Sequence, residues 1–136
     1  MREIKEIIVH CTATLPRQDV TAKDIDRWHK LRGWRKIGYH YVVRLDGTLE
    51  SGREEWEMGA HCLGHNRKSI GVCYVGGLDE EGRPADTRTE AQKETLLLLL
   101  KTLKKKYPKA KIYGHRDFGS KACPCFDAKE EYKMFE

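Results

Sequence analysis

The segment EIKEIIVHCTA, residues 3–13, constrains the fold most strongly. Ile7, Ile8 and Val9 follow one another without a polar break, all three are β-branched, and His10 comes next. A short continuous run of this kind predicts a strand entering the core. Downstream, TAKDIDRWHKLRGW (21–34) predicts a helix. Thr21 and Asp24 make a capping box with a shorter acid, Ile25, Trp28 and Leu31 share a face, and Gly33 supplies the stop. YHYVVRLDGTLESGR (39–53) predicts a hairpin turning at Asp46-Gly47, and SIGVCYVGG (69–77) a buried strand. GLDEEGRPADTR (77–88) is polar and predicts a surface loop. TEAQKETLLLLLKTLKKKY (89–107) predicts a helix opened by a Thr89–Gln92 capping box and closed by a basic turn, with Lys104 to Lys106 as a solvated end. KIYGH (111–115) predicts a short strand, and FDAKEEYKMF (126–135) a last helix capped by Asp127. Strands and helices are mixed along the chain, so the class is α/β or α+β with one central sheet.

At 136 residues the chain is the size of one domain with one core. The net charge of +5 suits an anionic partner, but no arginine-rich stripe with interleaved aromatics appears, so no nucleic-acid partner is expected. The apolar run near the N-terminus is flanked by charge and too short for a secretory leader. The longest apolar run, Leu96 to Leu100, is too short to span a bilayer, so no membrane insertion is expected. The expectation is a monomer made in the cytoplasm, which reaches an outside target only through release or export by another factor.

The five cysteines are an odd count, which favours free thiols, metal ligation or catalysis over a disulfide framework. Cys123 and Cys125 flank a single proline, whereas redox pairs usually place two residues between the sulfurs. His10 ends the first predicted strand and His115 the last one, where open sheets build their sites. Cys123 follows eight residues after His115, in a loop. Two imidazoles and a thiolate leave a fourth tetrahedral position open, the pattern of a catalytic zinc, which lowers the pKa of bound water to roughly 7. Spacing alone leaves this pattern only moderately specific.

Four ordered segments sharpen it: IIVHCTAT, IDRWHKLRGWRKIGYHYVVRLDGTLESGR, HNRKSIGVCYVGG and GHRDFGSKACPCFD. Together they resemble the zinc-dependent N-acetylmuramoyl-L-alanine amidases of the type 2 family, which include phage amidase-type lysozymes and are related to the animal peptidoglycan recognition proteins. The resemblance covers nearly the whole chain. It implies a single catalytic domain over residues 1–136, with a central mixed sheet flanked by helices. It implies hydrolysis of the amide between the lactyl group of N-acetylmuramic acid and L-alanine in peptidoglycan. It implies Zn2+ held by His10, His115 and Cys123, with Lys121 polarising the scissile carbonyl. Tyr39 is expected beside the zinc, its hydroxyl aiding the attacking water or the developing oxyanion. His61 in GAHCLGHN resembles a histidine that lines the family's substrate groove, and His65 and Asn66 are weaker candidates for it.

Other residues read more plainly. Cys11 follows His10 directly and points to the other face of its strand, so it packs. Cys73 packs as well, Cys125 is expected to be buried rather than to compete for metal, and Cys62 has no assigned role. His40 is structural and His29 a surface residue, while Trp34 and Trp56 either pack or line the groove. The proton donor to the leaving amine is Tyr39 or a water. Two rivals stand beside the enzyme: a module that holds peptidoglycan without cutting it, and an added regulatory role in contacting another protein. In recognition-type modules the cysteine ligand is commonly replaced, and here Cys123 is present.

Overall fold

The computed structural model describes residues 2–136. Five strands form one mixed sheet: β1 (Glu6–Cys11), β2 (Tyr41–Val43), β3 (Leu49–Ser51), β4 (Ser69–Tyr74) and β5 (Lys111–Gly114), in the order β3-β2-β4-β1-β5. β1 lies inside the sheet, parallel to both β4 and β5, with Ile8 opposite Gly71 and Tyr113, and His10 opposite Cys73. β2 runs parallel to β4, and only the β2–β3 pair is antiparallel. That pair is the expected hairpin: Gly47 takes φ 87° in the turn, and the Thr48 N–H donates to the Asp46 side chain at 2.9 Å.

Alternation along β1 divides its side chains between two faces. Ile7, Val9 and Cys11 join Ile70, Val72 and Tyr74 in the larger core, covered by α2 (Glu90–Lys106) and α3 (Ala128–Glu131). On α2 the buried Leu96, Leu99, Leu100 and Leu103 follow helical spacing, each burial stabilising by roughly 1.5–3 kcal/mol. The capping box of Thr89 and Gln92 forms as expected. Gln92 does more, since its amide nitrogen donates to the Val43 carbonyl at 3.2 Å and the Val75 carbonyl at 2.8 Å, tying the helix to the ends of β2 and β4. The opposite face carries Ile8 and His10. It is covered in part by α1 (Ala22–Leu31), which packs Ile25 against Val20, Ile37, Val42 and Val75, and in part by the loop that carries His61.

Four sequence expectations are corrected here. On α1 the capping box of Thr21 and Asp24 is present, but the buried stripe is Ile25 and His29. Trp28 and Leu31 are exposed, Leu31 at 81%. The polar stretch 77–88 is a surface loop except at its end. There Arg88 is buried against Asp86 and Glu131, with its guanidinium 3.4 Å from the Phe126 ring centroid. The last helix is a single turn capped by Asp127, followed by a 3-10 turn at Lys133–Phe135. Lys104 is not solvated: its ammonium donates to the carbonyls of Pro108 and Ala110 and pairs with Glu136. Among the described residues no helix is long and apolar enough to cross a membrane.

Candidate metal centre

His10, the fifth residue of β1, projects from the face of the sheet opposite the larger core and is 1% exposed. His115 is the first residue past β5, the neighbouring strand, so strand pairing brings the two imidazoles together with ring centroids 4.6 Å apart. Cys123 arrives on the following loop. That loop is held by the Arg116 N–H donating to the Cys123 carbonyl at 2.7 Å, and by the Tyr74 hydroxyl donating to the Pro124 carbonyl at 2.6 Å. Gly114 lets it approach, because a Cβ there would lie 2.8 Å from the Pro124 ring. The result is one cluster in which a donor atom each of His10, His115 and Cys123 lies within 4.8 Å of the others. Zinc bonds of about 2.0–2.3 Å reach all three after a small contraction, and two nitrogens with one sulfur suit that ion.

The surroundings favour the ligand forms of the two histidines. Burial, with the nearby charges of His61 and His115, holds the His10 pKa well below the usual value. Burial and the positive charge of Lys121 lower that of His115. Both rings are therefore neutral near pH 7, with a lone pair free for metal. The Cys11 backbone N–H donates to the Cys123 sulfur at 3.2 Å, which ties the ligand loop to the end of β1. Cys11 itself packs on the other face, 3.9 Å from the sulfur of Cys125, whose thiol donates to the Gly77 carbonyl at 3.3 Å. Neither belongs to the donor cluster; Cys11 is buried as expected, whereas Cys125 is only partly buried, packed against the edge of the core. Cys73 is fully buried, and Cys62 is buried as well.

Tyr39 stands beside the cluster, its ring 5.1 Å from that of His10. Burial, with the thiols of Cys73, Cys123 and Cys11 adding to it, pushes its hydroxyl pKa well above normal, so it remains a proton-bearing donor. A cleft of about 100 Å³ lined by Thr12, Ile25, Trp28, His29, Arg32 and Tyr39 opens beside it. Lys121 is exposed on the ligand loop, near enough to His115 to influence its titration. His61 lies against the cluster, its Nδ1 2.8 Å from Nε2 of His10 and its Nε2 3.1 Å from the Ser69 hydroxyl.

Three further residues fall differently from expectation or resolve an open choice. His29 is not on the surface: it is 7% exposed, its Nδ1 accepts the Gly38 N–H at 2.9 Å, and it thereby holds the chain just before Tyr39. A buried Gly38 N–H needs an acceptor, and the i to i+4 relation of Ile25 to His29 was the signal available for it. Trp34 packs against His29, with centroids 4.5 Å apart. Trp56 lines a separate cavity of about 280 Å³ with Arg2, Tyr41 and Tyr107, away from the donor cluster. His40 is structural as expected, accepting from the Gly71 N–H and donating to the Glu57 carbonyl. His65 pairs with Glu6 and stacks on Phe118, while Asn66 accepts from the backbone N–H groups of His61 and Cys62.

A family profile described as N-acetylmuramoyl-L-alanine amidase matches residues 1–126. The chain belongs to that family. Relatives in the family include the endolysin of Escherichia phage T7, 45% identical over 130 residues that span 96% of this chain and 86% of that protein. The endolysin of Klebsiella phage KP32 is 44% identical over 135 residues, 99% of this chain and 89% of that one. Among solved structures, the N-acetylmuramoyl-L-alanine amidase LysC from Clostridium intestinale URNW superposes with a TM-score of 0.83 at 32% identity, covering 96% of this chain and 82% of that one. The mixed-sheet fold expected from the sequence is thus the fold of the amidase family.

Proposed function

We propose that this member of the amidase family cuts the bond between the lactyl carbonyl of N-acetylmuramic acid and L-alanine through a zinc ion held by His10, His115 and Cys123, and that residues 1–136 act as one catalytic domain. The observation that carries the proposal is the convergence of those three donor atoms within 4.8 Å, from the end of β1, the end of β5 and the loop beyond. Zinc bound there supplies Lewis acidity toward water and the scissile carbonyl. The chain's own residues do the rest. Lys121 sets a positive charge over the side of the cluster where negative charge develops on the carbonyl oxygen. Tyr39, kept protonated by burial, can donate a hydrogen bond toward the same region and pass a proton to the leaving amine. In biological terms the enzyme works as a monomer on peptidoglycan; the endolysin relatives' name supports action on the wall after synthesis in the cytoplasm and release.

Purified protein tests this directly. About one zinc per chain, release of stem peptide from isolated sacculi, loss of release on chelation and recovery with added zinc are expected. Full activity in metal-free protein, or sacculi bound without release by zinc-loaded protein, would overturn it.

A further inference from the structure

His61 touches His10 in a way that a groove-lining residue does not need. Its ring meets that of His10 edge-on, at 89° with centroids 4.8 Å apart, and the contact is nitrogen to nitrogen at 2.8 Å. We propose that His61 is a positioning residue for His10, fixing which nitrogen of that imidazole faces the metal. The inference rests on zinc binding at His10, as proposed above, and adds a role for His61 behind the ligand.

The protonation states follow from the contacts in order. Nε2 of His10 is engaged by His61, so Nδ1 is the nitrogen left for metal. A neutral imidazole coordinating through Nδ1 carries its proton on Nε2, which must then donate to Nδ1 of His61. His61 in turn carries its proton on Nε2 and donates to the Ser69 hydroxyl, 3.1 Å away. One chain of bonds thus runs from the ligand His10 through His61 to Ser69, each group with a single defined role.

The surrounding structure is built to hold His61 there. Its backbone N–H donates to the Asn66 side chain at 2.9 Å, pinning the loop. Below the ring lies Gly71 of β4, and a Cβ on that residue would come within 2.6 Å of the imidazole. The floor of the sheet is left bare at the one place where His61 lies. Partners of this kind typically raise metal affinity 10–100-fold by orienting the ligand ring and raising its basicity.

The test is zinc affinity measured by competition with a chromophoric chelator, together with nitrogen NMR of the histidine rings. His61→Leu should bind zinc 10–100-fold more weakly, and Gly71→Ala should weaken it in the same direction by displacing the ring. His61→Asn, whose amide oxygen can stand near the position of Nδ1, should recover most of the affinity. In unsubstituted protein, with and without zinc, NMR should find the His10 proton on Nε2. Wild-type zinc affinity in His61→Leu, with only peptidoglycan binding weakened, would overturn the proposal and leave His61 a groove residue. So would a His10 proton on Nδ1 in the unsubstituted metal-free protein. Failure of the unsubstituted protein to take up zinc would instead overturn the metal centre itself.

Discussion

The Cys11 backbone N–H and the Cys123 sulfur, 112 positions apart in the chain, are joined by a hydrogen bond of 3.2 Å. That bond separates the two cysteines of the CPC sequence. Cys123 faces the imidazoles, and Cys125 turns away with φ 71° to meet Gly77 and Cys11. Cys123→Ser should lose most zinc binding and all but residual activity, because a hydroxyl replaces thiolate poorly. Cys125→Ser should keep zinc and most activity. Metal content and sacculus hydrolysis measured side by side check both, and an inactive Cys125→Ser would invert the assignment.

Lys121 and Tyr39 are not needed to hold metal. Lys121→Ala removes an exposed side chain, and Tyr39→Phe keeps the ring that packs beside His10. Both variants should fold and bind zinc, with turnover lower by about 10²–10³. Single-turnover release of stem peptide should fall far more than sacculus binding does. Near-normal turnover in both would reduce them to bystanders.

Arg88 is a buried cation in contact with Asp86 and Glu131 through paired hydrogen bonds of 2.7–2.9 Å. It also donates to the Tyr132 hydroxyl and covers Phe126, so it fastens the segment after the ligand loop to the start of α2. Arg88→Met should lower unfolding stability by about 3 kcal/mol. Arg88→Lys should restore little, since one ammonium cannot serve both carboxylates in that planar geometry. Urea unfolding curves decide it, and a change under 1 kcal/mol would make the cluster incidental.

Burial lowers the pKa of His29 to about 4, and that of His40 likewise to about 4. In the unfolded chain each titrates near 6.5. Between these values the unfolded state binds more protons than the folded one, so stability is full above about pH 6.5 and falls as pH drops toward 4. At pH 5 the loss should be on the order of 1–2 kcal/mol per histidine. Unfolding midpoints at pH 7 and pH 5 give the comparison, and identical midpoints would show that the two rings are not held neutral.

What could be read from the chain depended on whether the signal was local. The capping boxes at Thr21 and Thr89 and the turn at Asp46-Gly47 are local, and each forms where the sequence places it. The family-like segments around His10, His115 and Cys123 likewise anticipated the residues that converge. Features set by distant partners were not legible. His29 is buried because Gly38 needs an acceptor, and Arg88 because the Glu131 carboxylate and the Phe126 ring meet it from another part of the chain. Trp28 and Leu31 look like a core stripe on a helical wheel, yet α1 covers only part of the sheet and leaves them outside. The contact of His61 with His10 has no trace in spacing, because it arises where a loop crosses Gly71 on a neighbouring strand.

The placement of β1 has a consequence in time. Of the five strands it comes first in chain order, yet it needs β4 on one side and β5, the fifth in chain order, on the other. The sheet cannot close before β5 exists, and long-range parallel pairing is slow to form. The donor cluster, which draws on the same first and last segments, comes into being only with that closure. A chain that lacks β5 and the loop after it therefore has neither the closed sheet nor the donor cluster, whatever its remaining strands do.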